Sequence, residues 1–287
     1  MKIIFYIFTI FPLRFAFQLW DYVFKVIPVY ALSFLPAFRI TKKNLSIAFS
    51  DLAEHELDLL AKESYKETLK SFYETLYTWS RSSTKIIYQT KKINNRFLFN
   101  ANAKKDGLII FALHNRSIDF MLRWISSQRA HTSLYKKIKS KPINRFVKKL
   151  REEGDCKMVE TGIGGVKSIL NSLMNNQMTC MASDQVPANG LGTYSTFFGH
   201  ECYSFALAPK LAKKSKKQIL MSYLSYEKDI GHVINFVDPN KEIYNENGVD
   251  VMNLEMENQI KKSPAEYSWE YKKFRKLSKE PKDIYKT

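Results

Sequence analysis

The sequence predicts an α/β fold: a mostly parallel central sheet covered by helices, preceded by a membrane-associated N-terminal helical segment. Residues 107–113 read Gly-Leu-Ile-Ile-Phe-Ala-Leu, an unbroken apolar run whose length and β-branched content suit a strand buried on both faces. Beyond it, short apolar runs alternate with stretches of helical periodicity, the pattern of strands joined by helical crossovers. The first 38 residues differ in kind, being dense in Phe, Tyr, Ile and Leu.

That opening stretch is interrupted by Arg14, Asp21 and Lys25, so no apolar run reaches the roughly 20 residues of a comfortable membrane span. Pro12, Pro28 and Pro36 divide it into short pieces. It lacks the small-residue cleavage site of a secretory signal. The expectation is a segment, residues 1–40, lying along or embedded in a membrane face, with a single irregular span left open. Residues 41–287 form one further domain, with no repeats and no linker.

Leu57, Leu60, Ala61, Tyr65, Leu69, Phe72, Tyr73 and Leu76 recur at helical spacing and predict one amphipathic helix. After the strand at 107–113, the pattern predicts a helix near 118–128 with Ser117 as its N-cap. A strand near 132–135, a basic helix near 142–153 and a brief strand at 157–159 follow. Val166, Ile169, Leu170, Leu173 and Met174 mark the next helix. A buried strand near 178–183, a helix near 205–214 and strands near 218–226 and 231–237 complete the order.

The 287 residues suffice for a buried core, and 45% apolar with 25% charged residues excludes a disordered chain. Lys and Arg outnumber Asp and Glu by 45 to 28, a net charge of +17. Such an excess implies an anionic partner: nucleic acid, a membrane surface or an acidic protein. No nucleic-acid motif accompanies the charge, and an apolar N-terminus does not suit a soluble nucleic-acid binder. Cys156, Cys180 and Cys202 are sparse, odd in number and without metal spacing, as expected of reduced structural thiols.

Three clusters are candidates for chemistry. The first is Phe-Ala-Leu-His-Asn-Arg-Ser-Ile-Asp at 111–119, where His114 falls in the turn at the carboxyl end of a strand. In open α/β sheets that is where ligands bind. His114 and Asp119 cannot share a face of one helix, because five steps rotate the side chain about 140°. A strand–turn–helix lets them meet, and a carboxylate on one ring nitrogen leaves the other free as a general base. By spacing alone, the commoner meaning is a histidine that ends a strand, with Asp119 serving the helix N-terminus. The second cluster places Asp184 and Gln185 after another buried strand, followed by a Pro/Gly loop and Phe197-Phe198-Gly199. Parallel strands would bring Asp184 to the same rim as His114. The third is cationic. Lys136, Lys137, Lys139, Lys141, Arg145, Lys148, Lys149 and Arg151 crowd one segment, and Lys213, Lys214, Lys216 and Lys217 another. Arg151 can hold a phosphate bidentately, though a solvated helix face is the commoner role of such runs.

These pieces together resemble the bacterial lipid A biosynthesis lauroyl/myristoyl acyltransferase family, within the wider HxxxxD glycerolipid acyltransferases. Residues 38–56 are similar to its N-terminal basic, Asn-Leu and Phe stretch, and Leu-His-Asn-Arg-Ser-Ile-Asp to its catalytic motif at His114 and Asp119. Residues 133–154 resemble the next block, and 183–201 the block built on Asp-Gln, a loop and Phe-Phe-Gly. Pro264, Tyr267, Trp269, Phe274 and Arg275 are similar to the closing segment. The chain departs from the pattern in having Asp119 where many members carry Glu. It also has Asn115-Arg116-Ser117-Ile118 in place of aromatic-Gly-Asn-Trp, Val186-Pro187 in place of Tyr-Gly, and Tyr271-Lys272-Lys273 in place of His-Arg-Arg.

The resemblance implies a glycerolipid-acyltransferase-like fold and transfer of a fatty acyl group from acyl carrier protein to a hydroxyl of a lipid A precursor. His114 would be the general base and Asp119 would orient it. Arg116, Arg151, Asp184 and Gln185 would contact substrate, Arg151 offsetting phosphate or oxyanion charge. No metal and no cofactor are implied. The implied location is the cytoplasmic face of the bacterial inner membrane, with an anionic membrane surface and the acyl carrier protein as partners. Two alternatives stand: another acceptor, such as a lysophospholipid or glycolipid, or a catalytically inactive basic membrane-binding protein.

Overall fold

The computed structural model describes residues 1–100, 106–279 and 283–285. The chain opens with α1 (Lys2–Phe8), α2 (Leu13–Val26), α3 (Val29–Leu32) and α4 (Pro36–Ala48). Each proline of this stretch stands at a helix start: Pro12 and Pro28 at N-caps, Pro36 in the first turn. That position needs no amide donor and welcomes the fixed φ of proline. The longest helix, α5 (Glu54–Ser80), follows, begun by Glu56, whose carboxylate accepts from the Ala53 amide at 2.9 Å.

The remaining elements, in chain order, are α6 (Ser83–Gln89), β1 (Thr90–Asn94), α7 (Arg96–Asn100), β2 (Leu108–Ala112), α8 (Ile118–Gln128), β3 (His131–Tyr135) and α9 (Lys141–Arg151). Then come β4 (Lys157–Glu160), α10 (Ile163–Met174), β5 (Met178–Ala182), β6 (Gly192–Phe197), β7 (His200–Phe205) and α11 (Leu207–Ser215). The chain closes with β8 (Gln218–Glu227), β9 (Gly231–Val237), α12 (Gly248–Lys262) and a 3-10 turn at Pro264–Glu266.

Seven strands form one sheet in the order β1-β9-β8-β2-β5-β3-β4. The run from β8 to β4 is parallel, while β9 runs antiparallel to β8 and parallel to β1. Alternation along β2 builds two cores. Ile109 and Phe111 join Ile169, Leu173, Leu211, Met252 and Trp269 on one face. Leu108 and Ile110 join Phe17, Phe120, Trp124 and Phe236 on the other. Every residue of β2 is buried, as its unbroken apolar run requires. The expected parallel α/β sheet is present, and the Pro/Gly loop after β5 leads into an antiparallel pair, β6–β7, that the sequence pattern does not announce.

The N-terminal helices pack on α5. Asp21 of α2 takes ion pairs from Lys66 and Lys70, and Tyr73 donates to the Phe11 carbonyl. Arg81 lies over the rings of Tyr6 and Tyr77 and donates to the Thr9 carbonyl. Their outer faces are apolar, with Ile3 76%, Val26 70% and Phe8 69% exposed. Among the described residues no single helix is long and apolar enough to cross a membrane; α1 and α2 qualify by composition only as a pair, bent by 48°.

Candidate active site

Strand register places the central pair. β2 and β5 are parallel neighbours with Ala112 opposite Ala182, so His114 and Asp184 each stand two residues past the last paired position. The His114 amide donates to Asp184 Oδ2 at 3.0 Å, and His114 Nδ1 lies 2.6 Å from Asp184 Oδ1. An ionised carboxylate only accepts, so Nδ1 carries the proton and Nε2 is left as the basic nitrogen. The Gln185 amide nitrogen sits 3.4 Å from Nε2. Burial lowers the pKa of His114, but the Asp184 carboxylate, with Glu270 beyond it, outweighs burial and leaves it above its ordinary value. For Asp184 burial pushes upward, and the His114 partnership outweighs that and holds it below the usual range.

The segment behind the pair is buried and hydrogen-bonded to it. Ser268 donates its amide to the His114 carbonyl at 3.0 Å, and the fully buried Lys273 donates to the Asp184 carbonyl at 2.8 Å. Buried Tyr267 belongs to the same C-terminal segment, and burial, with the nearby Asp184 carboxylate, raises its pKa. Glu270 borders the site, accepting from Thr68 at 3.0 Å, and burial raises its pKa.

Asp119 does not brace His114. It lies in the first turn of α8, where its carboxylate receives a bidentate grip from Arg151: Nε to Oδ1 at 2.6 Å and Nη2 to Oδ2 at 2.9 Å. Burial pushes Asp119 upward, and the guanidinium beside it overrides this and lowers it. The expectation that Asp119 orients the imidazole is therefore corrected. Helix α8 begins between the two residues, while strand pairing presents the carboxylate 70 positions away. Arg151 stays on the cavity wall, but its fork is engaged by Asp119.

Arg116, expected to contact substrate, borders the same cavity, but its side chain is 1% exposed and its guanidinium is held by Glu67, Glu74 and Glu266. Nothing in the local sequence marks these partners, which come from α5 and the 3-10 turn.

A cavity of about 730 Å³ opens at this rim, lined by His114, Asp119, Arg151, Gln185 and Glu270. Its walls are largely apolar, including Leu69, Ala112, Met121, Leu122, Ile125 and Met181. Ile110, Ser133, Met158 and Cys180 also line it, and register puts these four side by side across β2, β5, β3 and β4. Cys180 is four residues before Asp184, so the cavity descends roughly 13 Å from the polar pair at about 3.3 Å per residue.

A carboxylate-braced imidazole thus stands at the mouth of a deep, largely apolar cavity. Residues 3–276 match the family of bacterial lipid A biosynthesis acyltransferases, and the chain belongs to that family. It is accordingly an acyltransferase, with an acyl donor and a lipid acceptor. No match to an individual curated protein was found.

Proposed function

We propose that the protein moves a fatty acyl group from an acyl carrier protein thioester to a hydroxyl of a lipid A precursor, at the cytoplasmic face of the bacterial inner membrane. His114 Nε2 removes the acceptor's hydroxyl proton as that oxygen attacks the thioester carbonyl. The tetrahedral intermediate then collapses: the new C–O bond remains, the C–S bond breaks, and the imidazolium returns its proton to the departing thiolate. Asp184 holds the tautomer and stabilises the imidazolium formed on the way. The Gln185 amide and the Arg151 guanidinium border the space where the oxyanion develops.

The observation that carries this reading is the unprotonated Nε2 of His114 at the head of a cavity whose walls suit a hydrocarbon chain. The outward apolar faces of α1 and α2 suit a helix lying in the interface, where the lipid acceptor resides. Lys136, Lys139, Lys141, Arg145 and Lys149 are exposed on and before α9, and Phe146 of that helix meets Phe5 of α1 with ring centroids 5.7 Å apart. Cations beside an apolar surface suit both anionic headgroups and an acidic carrier protein.

Purified protein assayed with acyl carrier protein thioesters against a lipid A precursor, a lysophospholipid and a glycolipid tests the proposal. Transfer to the lipid A precursor, lost in His114→Ala with folding intact, is the expected result. Preferred transfer to another acceptor, or lipid binding without turnover, contradicts it.

A further inference from the structure

Between His114 and Asp119 the chain turns through Arg116 in the left-handed region, at φ 60°. That conformation is unfavourable for a long side chain and persists where the surroundings over-determine it. Here they do. Glu67 and Glu74, seven residues apart on one face of α5, and Glu266 of the 3-10 turn surround the guanidinium: Nη1 lies 2.5 Å from Glu67 and 3.2 Å from Glu266, and Nε donates to Glu74 at 2.8 Å. Phe17 of α2 and Tyr226 of β8 lie on the cation, with ring centroids 5.1 and 5.2 Å away.

Two of the same glutamates also hold the turn itself. Glu74 Oε2 accepts from the Ser117 amide, Glu266 accepts from Asn115 Nδ2, and the Glu266 carbonyl accepts from the Arg116 amide. His232 completes the cage, its Nε2 2.8 Å from Glu74 Oε1. Burial pushes Glu74 upward, yet Arg116 and His232 outweigh it and leave the group ionised, at about 2. No substrate is needed to explain so many charge-assisted contacts, and all of them converge on the residues next to His114.

We infer that Arg116 is a positioning residue for the reaction: anchored by Glu67, Glu74 and Glu266, it fixes the turn that aims the His114 ring between Asp184 and the cavity. This rests on the reading of His114 as the base. Arg116→Lys tests it, because lysine keeps the charge but loses the fork that joins three carboxylates.

Two readouts apply: the Nδ1 proton of His114 in nitrogen-15 histidine spectra of the full chain, assigned by its loss in His114→Gln, and transfer from a fatty acyl carrier protein thioester to a lipid A precursor. Asp184, Glu270 and Arg151 are the charged groups acting on His114, so a displaced ring changes its titration. The expected result is a folded variant whose Nδ1 proton shifts or broadens, with kcat at least tenfold lower, KM unchanged, and the acid limb of the pH–rate profile moved to lower pH. An unmoved resonance, or a kcat that falls only with the folded fraction, overturns the inference. If Arg116→Lys does not fold, Glu67→Gln, which removes one of the three anchors, is read by the same criteria. If the wild-type protein transfers nothing to this acceptor, the proposed function fails while the resonance still decides the role of Arg116.

Discussion

His114 and Asp184 lie 70 residues apart in sequence and 2.6 Å apart in space, joined twice, through the ring and through the backbone amide. Adjacent parallel strands ending at the same offset produce that contact, and it assigns the bracing role to Asp184. Asp119, five residues from His114, belongs to Arg151 instead.

The Asp119–Arg151 pair is nearly dry, with side-chain exposures of 8% and 20%. Arg151→Ala leaves a buried carboxylate without its counter-ion and is expected to cost about 3–5 kcal/mol of stability. Arg151→Lys retains the charge but not the fork, and falls between. Urea unfolding of the three proteins at neutral pH measures the order.

His131 links stability to pH. It is 2% exposed, lies between Ser126 and Ser133, and burial pulls its pKa down to about 4. In the unfolded chain it takes up a proton near 6.5. Between those values the unfolded state holds more protons, so stability falls as pH drops from 6.5 to 4 and is fully present above 6.5, a change of about 3 kcal/mol. Denaturation of wild type and His131→Gln at pH 7.5, 5.5 and 4.5 should show a steeper acid loss in the wild type.

Cys180 lines the lower part of the cavity, and burial pushes its thiol up to about 12, so it is a neutral wall element. Cys180→Phe is expected to move the acyl preference toward shorter chains, with at least a tenfold loss on the longest chain the wild type accepts. Competition among thioesters of graded length, read by mass spectrometry of the lipid product, checks it. Overpacking a core costs about 1–3 kcal/mol, so melting is followed alongside.

Ile7 and Phe8 project outward at 66% and 69% exposure. Replacing both with Glu removes apolar area from the outer face and repels anionic headgroups. Sedimentation with vesicles containing anionic lipid should fall about tenfold while the melting temperature stays within a few degrees, since neither side chain is in the core.

Much of this was legible in the sequence, for a physical reason. A strand buried on both faces must be apolar throughout, so β2 and β5 announce themselves, and their parallel pairing brings Asp184 to the rim beside His114. The bracing partner was not legible, because proximity in sequence favoured Asp119 and pairing register cannot be read from one strand. The hairpin β6–β7 was hidden by its glycines, Gly192 and Gly199, and its polar outer positions. Helix α12 went unread although Val249, Met252, Met256 and Ile260 carry its periodicity. The carboxylates around Arg116 give no local signal, since Glu67 and Glu74 look like the solvated face of an amphipathic helix until the turn docks on them.

The most direct measurement is the transfer rate at saturating donor and acceptor for wild type, Asp184→Asn and Asp119→Asn, each shown to be folded. An amide at position 184 carries no charge to stabilise the imidazolium, and its NH2 can donate to Nδ1 and put the ring proton on Nε2, so kcat should fall about 10²–10⁴-fold in Asp184→Asn, and less in Asp119→Asn. A rate within a few-fold of wild type in Asp184→Asn would contradict the account.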